Sequence, residues 1–90
     1  MFQTYSIFVA GKVQGVFYRQ RTKEKAVNLN IKGTVQNLQD GRVYICASGT
    51  IEQLIALIDW CWQGPSRASV TNVTHEVVEF KSFDAFTIEK

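Results

Sequence analysis

The chain has one proline, one histidine, one methionine and two cysteines, and each scarcity removes a class of explanation. A single imidazole, His75, with no cysteine or aspartate at a telling interval, leaves no histidine-centred nucleophilic pair or triad. It reads as an ordinary strand residue. Cys46 and Cys61 are in neither metal-ligating nor redox spacing. Cys46 has the strand parity opposite to Val43, Ile45 and Ala47, while Cys61 falls on a helical apolar stripe, so two free thiols are expected. No apolar run approaches the ~20 residues of a membrane span. The opening Met1-Phe2-Gln3-Thr4 lacks a basic start and the residues after it alternate, so no leader is read and the expected location is the cytoplasm. Ser6, Ser48 and Ser66 lack a partner base. Asp40, Asp59 and Asp84 read as a turn former, a solvated helix position and a loop residue. Nothing resembles a metal cluster, and the expectation is that no metal takes part.

Charge of one sign is also scarce, but unevenly. The formal net charge is only +2, weak for a dedicated nucleic-acid binder. Yet Lys12, Arg19, Arg21, Lys23 and Lys25 face only Glu24, whereas the C-terminal third carries Glu76, Glu79, Asp84 and Glu89. One end of the molecule is expected to be electropositive, enough to attract a small anion.

What is present suffices for one core. Ninety residues, 46% of them hydrophobic, with two Trp, three Tyr and six Phe, read as a single domain spanning 1–90. Residues 4 to 13 alternate as a first strand, with Tyr5, Ile7 and Val9 on one face and Phe8 and Ala10 on the other. Tyr18, Thr22, Ala26 and Leu29 have helical spacing, and Asn30 can close that helix in the left-handed region. A second strand, Ile31 to Asn37, and a third, Arg42 to Ser48, flank Asp40-Gly41, a strong hairpin signal. Thr50-Ile51-Glu52-Gln53 forms a capping box for a second helix with Ile51, Leu54, Ile55, Ile58, Cys61 and Trp62 along its stripe. Gly64-Pro65 stops it. Val70 to Phe80 reads as a fourth strand with a bulge near Val77-Val78, and Phe83 to Ile88 as a short last strand with Phe86 and Ile88 inward.

Two strand–helix–strand units joined by a hairpin predict an α+β fold, the ferredoxin-like βαββαβ sandwich: an antiparallel sheet with two helices on one face. Right-handed crossovers make the first two strands parallel, with the third between them. The turn after the first strand and Asn37 at the end of the second must then be neighbours. That turn is GKVQGVFYR, Gly11 to Arg19. Gly15 lets it bend, and a strand-to-helix turn presents unpaired N–H groups with the helix dipole behind them. Arg19 adds a permanent cation with a planar fork of donors. Arg21 and Lys23 are expected to swing out into water. The parts are therefore an anion cradle, a cation and a nearby amide. Asn37 suits two tasks equally well: holding a water that attacks a reactive phosphate ester or anhydride, or capping the turn to Asp40-Gly41.

GKVQGVFYR, taken with KGTVQNLQDGRV (Lys32 to Val43), closely resembles the two signatures of the acylphosphatase family. The likeness extends to Gly49, Gly64-Pro65 and Phe86-Ile88, so it covers nearly the whole chain. The resemblance implies hydrolysis of the carboxyl–phosphate anhydride of a small-molecule acyl phosphate, with neither metal nor organic cofactor. It puts the phosphate in the loop of Gln14, Gly15, Val16, Phe17 and Tyr18, held by backbone N–H groups and by Arg19. It assigns Asn37 to orienting the water, with a substrate phosphate oxygen taking the proton. Tyr18 stands where that family usually has Phe, and Asn30 where Gly is frequent; neither replaces a catalytic group. A monomer with no nucleic-acid or membrane partner is expected. Two competing readings remain. One is an RNA-binding module of the same fold using Phe8 and Tyr44, whose aromatic and basic motif is absent here. The other is an anion sensor without turnover.

Overall fold

The computed structural model describes residues 1–90, and its elements run β1 (Phe2–Lys12), α1 (Tyr18–Asn28), β2 (Lys32–Asn37), β3 (Val43–Thr50), α2 (Ile51–Gln63), β4 (Ser69–Val78) and β5 (Phe86–Glu89). They form one sheet in the order β4-β1-β3-β2-β5. β1 pairs antiparallel with β3 and β4, and β3 pairs antiparallel with β2, so β1 and β2 run the same way as expected. The expected all-antiparallel sheet needs one correction, since β5 adds to β2 in parallel. Its register starts at Gly33 opposite Phe86, where the Gly33 N–H also donates to the Ala85 carbonyl at 3.1 Å. A Cβ on Gly33 would overlap the Cys46 carbonyl oxygen, so the close approach of β3 requires glycine there.

α1 packs over β2 and β5, and α2 over β1, β3 and β4, which leaves the other sheet face uncovered by helix. Alternation decides which side chains enter the core. Ile7 and Val9 of β1, Val35 of β2, and Val43 and Ile45 of β3 are fully buried against the helices. From α1 come Tyr18, Thr22 and Ala26, the expected stripe. α2 has its capping box, but its buried face is Leu54, Leu57 and Cys61. Ile55 and Trp62, expected on that face, are about half exposed. The stripe is turned toward Leu57 because α2 must cover β1 and β3 as well as β4.

The expected bulge is also displaced. Ala10 pairs with Asn72 and Gly11 with Val70, so Thr71 is the extra residue. The reason lies in β1: Gly11 takes φ +123°, and β4 backbone sits where a side chain would be. Beyond β4 the chain crosses from one sheet edge to the other. It is pinned midway by the Thr4 and Ser48 hydroxyls, since the Lys81 N–H donates to Thr4 Oγ1 at 2.8 Å and Ser48 Oγ donates to the Lys81 carbonyl at 2.7 Å. Cys46 lies on this uncovered side and Cys61 in the core, so the sheet separates the two free thiols. Burial pushes the Cys61 thiol up to about 12.

Tyr18 ties the start of α1 to the end of α2. Its ring is buried with Trp60 at 5.4 Å between centroids, and its hydroxyl donates to the Cys61 carbonyl at 2.7 Å. In a longer helix that carbonyl would accept from the fourth residue on, but that residue is Pro65, which has no N–H. Burial raises the phenol far above its ordinary range, so the hydroxyl remains a donor. Tyr18→Phe is expected to leave the carbonyl unsatisfied and to cost about 1–2 kcal/mol. That corresponds to roughly 5–15 °C in Tm for a domain of this size, read from a thermal melt.

Candidate active site

The turn between β1 and α1 is built from two left-handed residues. Gly15 has φ +73°, and Phe17, the residue capping α1, has φ 65° and ψ 22°. For Phe that conformation costs on the order of 1–2 kcal/mol. Alternation of this kind curls successive N–H groups into a concave nest that suits an anion. No backbone N–H from Gln14 to Gln20 donates to a protein group, while the next, that of Arg21, reaches the Phe17 carbonyl at 3.1 Å. The first turn of α1 contains no acidic residue. Arg19 and Arg21 in that turn, and Lys23 just beyond it, therefore stand against the positive end of the helix dipole, Arg21 with Glu24 as its partner.

Gly15, Phe17, Tyr18 and Arg19 line a cleft of about 310 Å³ together with Asn37 from the end of β2 and Ile88 from β5. This volume lies at the small end of the ~300–1,000 Å³ usual for ligand sites. Of the residues singled out in the sequence, these five converge on the cleft. Gln14 and Val16 do not line it. The Val16 side chain is buried in the core. The Gln14 carboxamide instead turns to the β2–β3 hairpin, where its nitrogen donates to the Leu38 carbonyl at 2.8 Å and the Arg42 carbonyl at 2.9 Å. Those two bonds fasten the turn to the neck of the strand pair that holds Asn37.

Arg19 is half-buried, and one of its terminal nitrogens donates to the Glu89 carbonyl at 3.0 Å. It has no acidic partner, because the molecule's ion pairs are Arg21 with Glu24 and Arg42 with Asp40. The fork thus keeps most of its five donors free and no carboxylate lines the cleft to compete. Asn37 Oδ1 is the one buried side-chain polar atom without a partner. The capping alternative for Asn37 does not hold, because Asp40 does that work. Its carboxylate accepts the Arg42 N–H at 3.1 Å and Arg42 Nε at 2.8 Å. The backbone N–H of Arg42, foremost, holds the Asp40 carboxyl below its ordinary range.

Two contributors were not read from the sequence: the side chain of Gln14, considered only for its backbone, and the end of β5, which supplies Ile88 and the Glu89 carbonyl. The inward parity of Ile88 was the available signal for the latter. Phe8 and Tyr44, the residues of the RNA-binding alternative, adjoin each other on the helix-free face at 4.9 Å between ring centroids. The Arg42 guanidinium lies over the Phe8 ring at 4.7 Å, so one ring face is already occupied.

The Acylphosphatase family model matches residues 5–88. The chain belongs to the acylphosphatase family. An acylphosphatase of Nitrosococcus oceani is 45% identical over 80 residues, covering 89% of this chain and 90% of that one. The structure of an acylphosphatase from Coxiella burnetii superposes with a TM-score of 0.95 at 35% identity, over 98% of this chain and 93% of that one. The acylphosphatase from Bacillus subtilis gives 0.95 at 30% identity with both chains covered in full. The enzyme's expected fold is thereby shared with solved acylphosphatases, and no helix in it is long and apolar enough to cross a membrane.

A buried carboxamide oxygen without a partner costs on the order of 1–3 kcal/mol, which is not expected in a residue kept for stability. Asn37→Ala should therefore unfold at the same or a higher urea concentration than the parent. A clear loss of stability would mean that the amide has a structural bond in solution.

Proposed function

We propose that this enzyme hydrolyses acyl phosphates to a carboxylate and inorganic phosphate. The nest from Gln14 to Tyr18 and the Arg19 fork hold the phosphoryl group, and Asn37 holds the attacking water. The observation that carries this reading is that Asn37, whose carboxamide oxygen has no protein partner, and Arg19 line the same cleft. Turned toward the cleft, that carboxamide can accept a proton from a water whose lone pair faces phosphorus.

The chemistry then needs little more. The water oxygen forms a bond to phosphorus as the bond from phosphorus to the acyl oxygen breaks. The electron pair leaves with the carboxylate. Side-chain carboxylic acids have pKa values of about 4, so this leaving group departs without a general acid. The water's proton passes to a phosphoryl oxygen, which accounts for a cleft without histidine or carboxylate. The N–H groups and guanidinium are fixed before the reaction, so they stabilise the spreading negative charge without reorganising.

Acetyl phosphate should be turned over at full rate in the presence of EDTA. Arg19→Ala should lose turnover and phosphate binding together. Asn37→Ala should bind phosphate as before while kcat falls by about 10²-fold or more, the scale for loss of one positioned dipole. Inorganic phosphate should inhibit competitively and raise Tm, by about 2.7 kcal/mol of stabilisation at a hundred times its Kd. Phosphate binding without any turnover would identify an anion sensor instead.

A further inference from the structure

Phe17 belongs to two cavities. Besides the Asn37 cleft, it lines a second one of about 270 Å³ with Val16, Arg21, Pro65, Ser66 and Arg67. The residue is 68% exposed, takes the left-handed conformation and lines both spaces. Arg21 is brought here by the first turn of α1, and Arg67 by the turn after α2, which closes where the Ala68 N–H donates to the Pro65 carbonyl at 3.0 Å. Arg21 has Glu24 at 2.9 Å, but Arg67 has no acidic partner and no carboxylate lines the cavity. Two guanidinium groups against one neighbouring carboxylate leave a positive balance beside an apolar wall of Phe17 and Pro65.

We propose that this second cavity receives the far end of the acyl group and favours acyl phosphates whose acyl chain ends in an oxyanion. The proposal rests on the hydrolytic reading of the adjacent cleft. With the phosphoryl group in the nest, methylenes pass over the Phe17 ring and a terminal carboxylate meets Arg67 and Arg21. A charge this far from the reacting phosphorus feels the same attraction before and during bond cleavage. The preference must therefore appear in KM rather than kcat.

The test compares the monophosphates of succinate, glutarate and adipate with butyryl, pentanoyl and hexanoyl phosphate. At least one charged substrate should have a KM roughly three- to ten-fold below its neutral counterpart, the scale of a charge-assisted contact at a partly open site. Raising the ionic strength should narrow that gap. Arg67→Ala should abolish it through KM, leaving kcat and the neutral substrates within about two-fold, and Arg67→Lys should keep most of it. Equal KM values for all three pairs, or an Arg67→Ala effect of the same size on charged and neutral substrates, would overturn the proposal. Absence of turnover for both classes would overturn the hydrolytic reading beneath it.

Discussion

The site depends on one topological constraint. The crossover through α1 joins β1 to β2, so the two strands run in the same direction on either side of β3. Their C-terminal ends consequently share one edge of the sheet. The left-handed turn after β1 and the carboxamide at the end of β2 become neighbours, although eighteen residues separate Arg19 from Asn37 along the chain. The Gln14 side chain makes this proximity rigid by donating to both carbonyls at the hairpin neck. β5 completes the arrangement from the other side, because its parallel pairing with β2 delivers Ile88 to the cleft and the Glu89 carbonyl to Arg19.

Local rules of stability are broken almost only at that edge. Phe17 takes a backbone conformation that suits glycine, and Asn37 buries an oxygen with no partner. Arg19 sits at the wrong end of a helix dipole with no acidic partner. α2 shows the opposite behaviour, with a complete capping box and Glu52 in its first turn. Conflicts gathered at one place, in a chain otherwise consistent from propensity to packing, mark where function has been given precedence over stability. A phosphoryl anion in the cleft would answer two of these conflicts, since it accepts the nest's N–H groups and pairs with the Arg19 guanidinium.

Where the structure departs from the pattern along the chain, the departures share a cause. The period of α2 was correct, but its buried face was centred one position away, because Leu57 is chosen by the strands beneath it and not by the helix. The bulge was placed at Val77-Val78, where alternation weakens, whereas the strain that produces it comes from Gly11 on the neighbouring strand. The direction of β5 depended on where a connection crosses the sheet, and the hydroxyls that hold that crossing are Thr4 and Ser48, far away in sequence.

Alternation, helical spacing, the capping box and the two glycine-bearing turns determined the elements, their order and the candidate residues Arg19 and Asn37, since these are properties of neighbours a few positions apart. Tertiary structure alone decided that Gln14 clamps the hairpin, that the Tyr18 hydroxyl stands in for the N–H that Pro65 lacks, and that Arg67 shares a cavity with Phe17. Each of these is a contact between side chains or carbonyls brought together by sheet order. Hydrogen bonds and charges act over a few ångströms of space, and no pattern along the chain records which distant groups the fold will place within that range.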